Sequence, residues 1–135
     1  MSEAENIPSD WIAKANEDLA AVRKLSEDEE DFLFFKSTIL FHCQQAIEKY
    51  LKAFLVFKNV DFPKTHHLEF LNDFCIEHGG DDFERLEFGG LSGFAVDSRY
   101  PDKYEEPTLD EMKSYFELVS EIKTLVESKI KFQSP

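Results

Sequence analysis

Between Asp31 and Lys58 the chain reads DFLFFKSTILFHCQQAIEKYLKAFLVFK, with Phe32, Phe35, Ile39, Cys43, Ala46, Ile47, Tyr50, Phe54 and Leu55 on one wide apolar face. The intervals are threes and fours, a helix period and not a strand period. No glycine or proline interrupts the run, so the spacing predicts a single helix about 40 Å long. A helix this long and this apolar has to be covered by other helices or by a sheet, and the rest of the chain holds little that would make a sheet. Gly and Pro number five each in 135 residues, too few for the frequent turns of an all-β chain.

Other helical segments flank the long one. PSDWIAKANEDLAAVRKL places Trp11, Ala15, Leu19 and Val22 on one face, with Ser9 or Asp10 as N-cap. Ser26 and Glu29 fit a capping box for the long helix. Asn59 and Pro63 stop that helix. Thr65 then caps a third helix bearing Leu68, Leu71, Phe74 and Cys75 or Ile76, which closes at Gly79-Gly80. A fourth, over 82–97, contains Gly89, Gly90 and Gly93, which suggest a kink or close backbone packing. Thr108 and Glu111 form a capping box opening the last helix, Leu109 to Lys131. The expected fold is all-α, an up-and-down antiparallel bundle of about five helices with no sheet. One domain spans 1–135, its core at about 10–131 behind a short polar N-terminal tail.

The formal net charge is −13, which repels a phosphate backbone at long range. It is unevenly spread. Residues 1–35 carry three basic and ten acidic side chains, whereas 36–67 carry five lysines against Glu48 and Asp61. The locally basic third points toward a small anionic ligand or an acidic partner. Cys43 and Cys75 lie among apolar residues, outside any zinc or redox spacing, and read as reduced core thiols. The polar start MSEAENIPSD is no signal peptide, and no apolar run reaches the ~18 residues of a membrane span. A soluble, cytoplasmic protein without membrane contact is expected.

His42, Gln45, Lys49 and Lys52 fall at i, i+3, i+7 and i+10, one polar stripe on the long helix. Such a stripe is either a solvated back face, with Glu48–Lys52 an ordinary i,i+4 pair, or the wall of a site. His66 and His67 follow Lys64-Thr65 at a helix N-terminus, where backbone N–H groups favour an anion. Adjacent histidines seldom share one metal ion, and no carboxylate pattern accompanies them, so no metal site is expected.

In order along the chain, NEDLAAV, FHCQQAIEKYLKAFL, PKTHHLEFL and SRYPD resemble the HEPN domain, a small all-α family also found at the C-terminus of sacsin. The resemblance covers about residues 10–130. It implies a helical bundle that commonly forms homodimers, proposed nucleotide binding and, for many bacterial members, a minimal nucleotidyltransferase partner in a toxin–antitoxin-like pair. The family's ribonucleases carry R-x4-6-H at a dimer cleft, where Arg and His position and cleave RNA without metal. Here the arginine is Arg99, in RYPDKYEEPTLD, and no histidine follows at that distance; Tyr104 stands five residues on. A phenol with pKa near 10 is a poor base at neutral pH. The variant adenylylated on a tyrosine is not matched either, because Glu106 holds that place.

The resemblance therefore implies a non-enzymatic module of the R-Y-P branch. It would bind a nucleotide or a nucleotidyltransferase partner through Arg99, Tyr100, Lys49, Lys52, His42, Gln45 and His66, with no cofactor beyond that nucleotide. Arg99 would fork onto a phosphate, or else pair with a carboxylate or cap helix carbonyls. The alternatives are a ribonuclease toxin using Arg99 with Tyr104 or a histidine from elsewhere, and a purely structural dimeric scaffold in which part of the Phe cluster of 32–41 forms the seam.

Overall fold

A computed structural model describes residues 7–97, 100–102 and 106–133. Among these described residues there are six α-helices: α1 Pro8–Ser26, α2 Glu29–Phe34, α3 Lys36–Phe57, α4 Leu68–Glu77, α5 Leu91–Asp97 and α6 Leu109–Gln133, with a 3₁₀ turn at Asp81–Arg85 between α4 and α5. The all-α expectation holds. No helix among the described residues is long and apolar enough to cross a membrane.

The single long helix expected over 31–58 is two. Phe35 leaves the helical basin (φ −99°, ψ 25°), although its N–H still reaches the Asp31 carbonyl and its own carbonyl accepts from Ile39. Four consecutive apolar residues, Phe32 to Phe35, cannot all face one side of a continuous helix. The break turns Phe32 onto Phe116, ring centroids 5.7 Å apart, and leaves Leu33 and Phe34 exposed.

Helix starts also differ in detail from expectation. α1 begins with Pro8 in its first turn after Ile7, ahead of Ser9 and Asp10, because proline has no N–H to satisfy there. Asp28, not Ser26, caps α2 by accepting from the Asp31 N–H at 3.0 Å; the Ser26 hydroxyl instead donates back to the Val22 carbonyl. His67, not Thr65, caps α4, its Nδ1 accepting from the Phe70 N–H at 3.0 Å, while the Thr65 hydroxyl accepts from the His67 N–H and fixes the loop. The capping box of Thr108 and Glu111 is present in both directions, at 3.1 and 2.9 Å.

Expected stops are where the glycines and Asn59 place them. Asn59 has φ 57° and Gly79 has φ 98°. The helix expected over 82–97 is divided: Leu86 is extended, and Gly89 and Gly90 have φ 55° and 78°. They interrupt the helix rather than kink it. Gly93 lies inside α5 and makes no such demand.

α3 is the central rod. Ile39, Cys43, Ile47, Tyr50 and Phe54 are fully buried beneath α1, α4 and α6. Trp11, Asn16 and Asp18 of α1 meet Lys52, Tyr50 and Lys49 of α3 in that order, so the two helices are antiparallel. Lys36 pairs with Glu106 and Lys123 lies over the Tyr50 ring, so α6 runs in the same sense as α3.

Candidate binding site

The polar stripe of α3 lies against α1 and the loop before α4, and divides into two clusters. Asp18 is the centre of the first. It sits on α1 between Ala15, Leu19 and Val22, inside the apolar face, and is buried. Its Oδ1 meets the His42 Nδ1 at 2.7 Å and its Oδ2 accepts from the Lys49 ammonium at 2.7 Å. One carboxylate therefore holds two of the stripe's side chains across the α1–α3 interface. Next to it the Tyr50 hydroxyl donates to the Asn16 Oδ1 at 2.5 Å. Burial first, then the charges of Glu127 and Asp18, push the Tyr50 phenol above its ordinary range despite Arg23, so it remains a donor.

Glu48 is the centre of the second cluster. Its carboxylate accepts from the Lys52 ammonium at 3.0 Å and from the Gln44 amide at 3.3 Å, and meets the His66 Nδ1 at 2.9 Å. Gln44 also donates to the His66 carbonyl and Gln45 donates to Gln44, which continues the chain of hydrogen bonds toward the surface. The Lys52 side chain is 1% exposed. Its ammonium lies 5.5 Å from the Trp11 ring centroid and 6.0 Å from that of Phe62, so aromatic faces as well as Glu48 stabilise the buried charge.

Placed against expectation, the stripe is neither a plain solvated face nor a bare cleft wall. His42 and Lys49 are half-buried along the α1–α3 seam, and Gln45 is half-buried beside Gln44. Lys52 is inside. His66 is at the surface, 72% exposed, with one nitrogen on Glu48. Tyr100 is exposed on the loop leading toward α6. Arg99 and Tyr104 lie outside the described residues. The seam thus gathers His42 and Lys49 around Asp18, and His66, Lys52 and, through Gln44, Gln45 around Glu48. Asp18 and Glu48 were not among the expected site residues. The available signal was a carboxylate at an apolar-face position of each helix, Asp18 beside Ala15 and Val22, and Glu48 beside Ile47 and Leu51.

Chemically, a neutral His42 that donates its Nδ1–H to Asp18 presents Nε2 as an acceptor, and a protonated one presents a donor. With Lys49 and Gln45 it offers a short row of polar groups at the seam. Among the described residues no group of three or more His, Cys, Asp or Glu side chains is arranged to hold a metal ion. A separate open groove of about 440 Å³ is lined by Arg85, Ser120, Glu121, Thr124, Leu125 and Ser128. Its guanidinium is already paired with Glu121 at 3.3 Å, so the groove offers no uncompensated cation.

No curated protein and no solved structure matches the chain. The family model described as HEPN domain matches residues 8–129, from the first turn of α1 to one turn before the end of α6. With the fold all-helical and the match nearly as long as the chain, this protein belongs to the HEPN domain family.

Proposed function

We propose that this HEPN domain binds a nucleotide or a nucleotidyltransferase partner and does not cleave RNA. One observation carries the reading: no histidine follows Arg99 at nuclease spacing, and the four in the chain lie before it, each with Nδ1 engaged locally. His42 is held by Asp18, His66 by Glu48, His67 by the backbone it caps, and His78 by the Phe74 carbonyl. The segment after Arg99 offers Tyr104 where the family's nucleases have histidine. In this reading Arg99 forks onto phosphate, and His42, Gln45 and Lys49 supply further polar contacts. The working unit is a homodimer in the cytoplasm, and the exposed Leu33 and Phe34 favour a seam at α2.

Native mass spectrometry of the untagged protein tests it. Twice the chain mass plus a nucleotide-sized increment, lost in Arg99→Ala and reduced in Lys49→Ala with the fold retained, is expected. A bare dimer or monomer, or an increment unaffected by both substitutions, removes the nucleotide assignment, and a co-purifying nucleotidyltransferase then decides the partner half. The ribonuclease alternative draws on one feature, the imidazole of His42 oriented by a carboxylate. Growth arrest on expression, abolished by Arg99→Ala, would replace the binding reading with that one.

A further inference from the structure

The outward face of α4 carries one exposed phenylalanine ring beside a second that is half-buried against the core. Phe70 is 43% exposed. Its ring is edge-on to that of Phe74 at 5.0 Å, and Phe74 is 6.3 Å from the imidazole of His78. Spacing of four residues sets these three rings in one row along the helix. A single exposed phenylalanine is ordinary; here Phe70 and the exposed His78 stand on either side of the half-buried Phe74, and the three rings together with the carboxylates beside them make a mixed aromatic and acidic helix face.

The charges beside the row determine what fits it. Glu69, Asp73 and Glu77 are exposed at i, i+4 and i+8 and repel one another. Asp73 and Glu77 stand three and seven residues after Phe70, beside the rings. α4 contains no lysine or arginine, and none of its three carboxylates forms an ion pair with a described residue. Glu77 is in the last turn, at the negative end of the helix dipole, where a carboxylate is unfavourable. Lys58, the lysine at that end, holds its ammonium over the rings of Phe54 and Phe57 at 5.7 and 6.0 Å. On α1 and α6, by contrast, lysines answer some of the carboxylates, through Lys14–Glu17, Lys24–Glu27 at the end of α1, and Lys123–Glu127.

We propose that this face of α4 docks an arginine-rich segment of a partner protein. Guanidinium groups stack on Phe70 and Phe74 and pair with Asp73 and Glu77, which matches both chemistries of the face at once. A second copy of the chain does not fit, because it brings a second unpaired carboxylate row to the same place. A nucleic acid has bases for the rings, but its phosphates meet the carboxylates. The inference uses neither Arg99 nor the α1–α3 seam, so it stands or falls apart from the nucleotide reading.

The probe is a fluorescein-labelled amphipathic peptide with alternating turns of Leu and Arg, titrated by anisotropy at low and physiological salt. Asp73→Lys/Glu77→Lys should weaken binding about tenfold or more, through two lost attractions and two added repulsions. Phe70→Ala, which changes no charge at an exposed position, should weaken it several-fold as well. Glu17→Lys/Glu117→Lys, at exposed positions of α1 and α6, should leave it unchanged. Thermal melts establish that each variant is folded. Failure of the wild type to bind the peptide overturns the proposal. Equal weakening by the Glu17/Glu117 pair shows general acidity and overturns it too, as does an unaffected Phe70→Ala. Displacement of the peptide by a thymidine oligonucleotide, itself sensitive to Phe70→Ala, reassigns the face to nucleic acid.

Discussion

Lys52→Met isolates what the buried charge contributes. The Lys52 and Glu48 side chains are 1% and 5% exposed and 3.0 Å apart. Methionine keeps most of the aliphatic stem between Trp11 and Phe62 but deprives the Glu48 carboxylate of its cation. Breaking a buried pair from one side costs about 3–5 kcal/mol. Glu48 would retain the Gln44 amide and the His66 Nδ1, and so the lower end, about 3 kcal/mol, is expected. For a chain of this length that lowers Tm by about 10 °C. Glu48→Gln removes the carboxylate that balances the buried ammonium instead, and should cost a similar amount. The double variant leaves no unpaired buried charge, and should lie within about 1 kcal/mol of wild type. Urea denaturation of the four proteins closes the cycle and gives the coupling directly. A Lys52→Met protein within about 1 kcal/mol of wild type would refute the reasoning, since a carboxylate that costs so little when stripped of its cation is not desolvated.

Glycine positions should separate by what a Cβ would meet. At Gly80 it would lie 2.6 Å from the Cys75 carbonyl oxygen, so Gly80→Ala should cost about 2 kcal/mol or more; at Gly93 it meets nothing within 4 Å, and Gly93→Ala should stabilise α5 by up to about 1 kcal/mol in the same denaturation assay. Thr108→Ala removes one half of the reciprocal cap on α6 and should cost about 1 kcal/mol, which Thr108→Ser should largely restore. Burial raises the Cys43 thiol from 9.0 to about 12 and the Cys75 thiol above its ordinary range, so Ellman's reagent at pH 8 should react with neither until urea unfolds the chain. Because both thiols titrate higher in the fold than in the unfolded chain, their contribution is complete below about pH 8.5 and fades as pH rises through the folded values, so the urea midpoint should fall in that alkaline range. Two thiols titrating at the unfolded rate in native buffer would contradict the burial.

Element identity was legible wherever the apolar period was long. α1, α3 and α6 could be placed from threes and fours alone, and the Thr108–Glu111 cap from a four-residue pattern. What could not be read was where one long period divides. Phe32, Leu33, Phe34 and Phe35 are all apolar, so the pattern continues across the break, and the contact that favours the break, Phe32 on Phe116, joins residues more than eighty positions apart. The same limit applies to the cap of α4: Thr65 is the better cap by type, but His67 is where the loop delivers a ring nitrogen to the Phe70 N–H. Local preference is a weak constraint once a loop has been anchored at both ends.

The stripe of His42, Gln45, Lys49 and Lys52 shows why charged residues on a helix are hard to assign before their partners are known. Its spacing fits a solvated face or a cleft wall equally well, and both readings take the charges as directed outward. Asp18 and Glu48 decide otherwise because each occupies an apolar position of its own helix, where a carboxylate has to find cations or remain neutral. Lys49 and His42 therefore face inward across the α1–α3 seam, and Lys52 inward along α3. This restricts any anion that binds there. It cannot have Lys49 outright, since drawing that ammonium away leaves Asp18 with His42 alone in a buried setting. It can share what Asp18 leaves open, which is the His42 Nε2, the Gln45 side chain and the remaining Lys49 hydrogens. Such a ligand would be held by hydrogen bonds from a nearly neutral seam. The strong charge must then come from outside the seam, and Arg99, in the RYPD segment that resembles the family, is the residue the binding reading assigns to it.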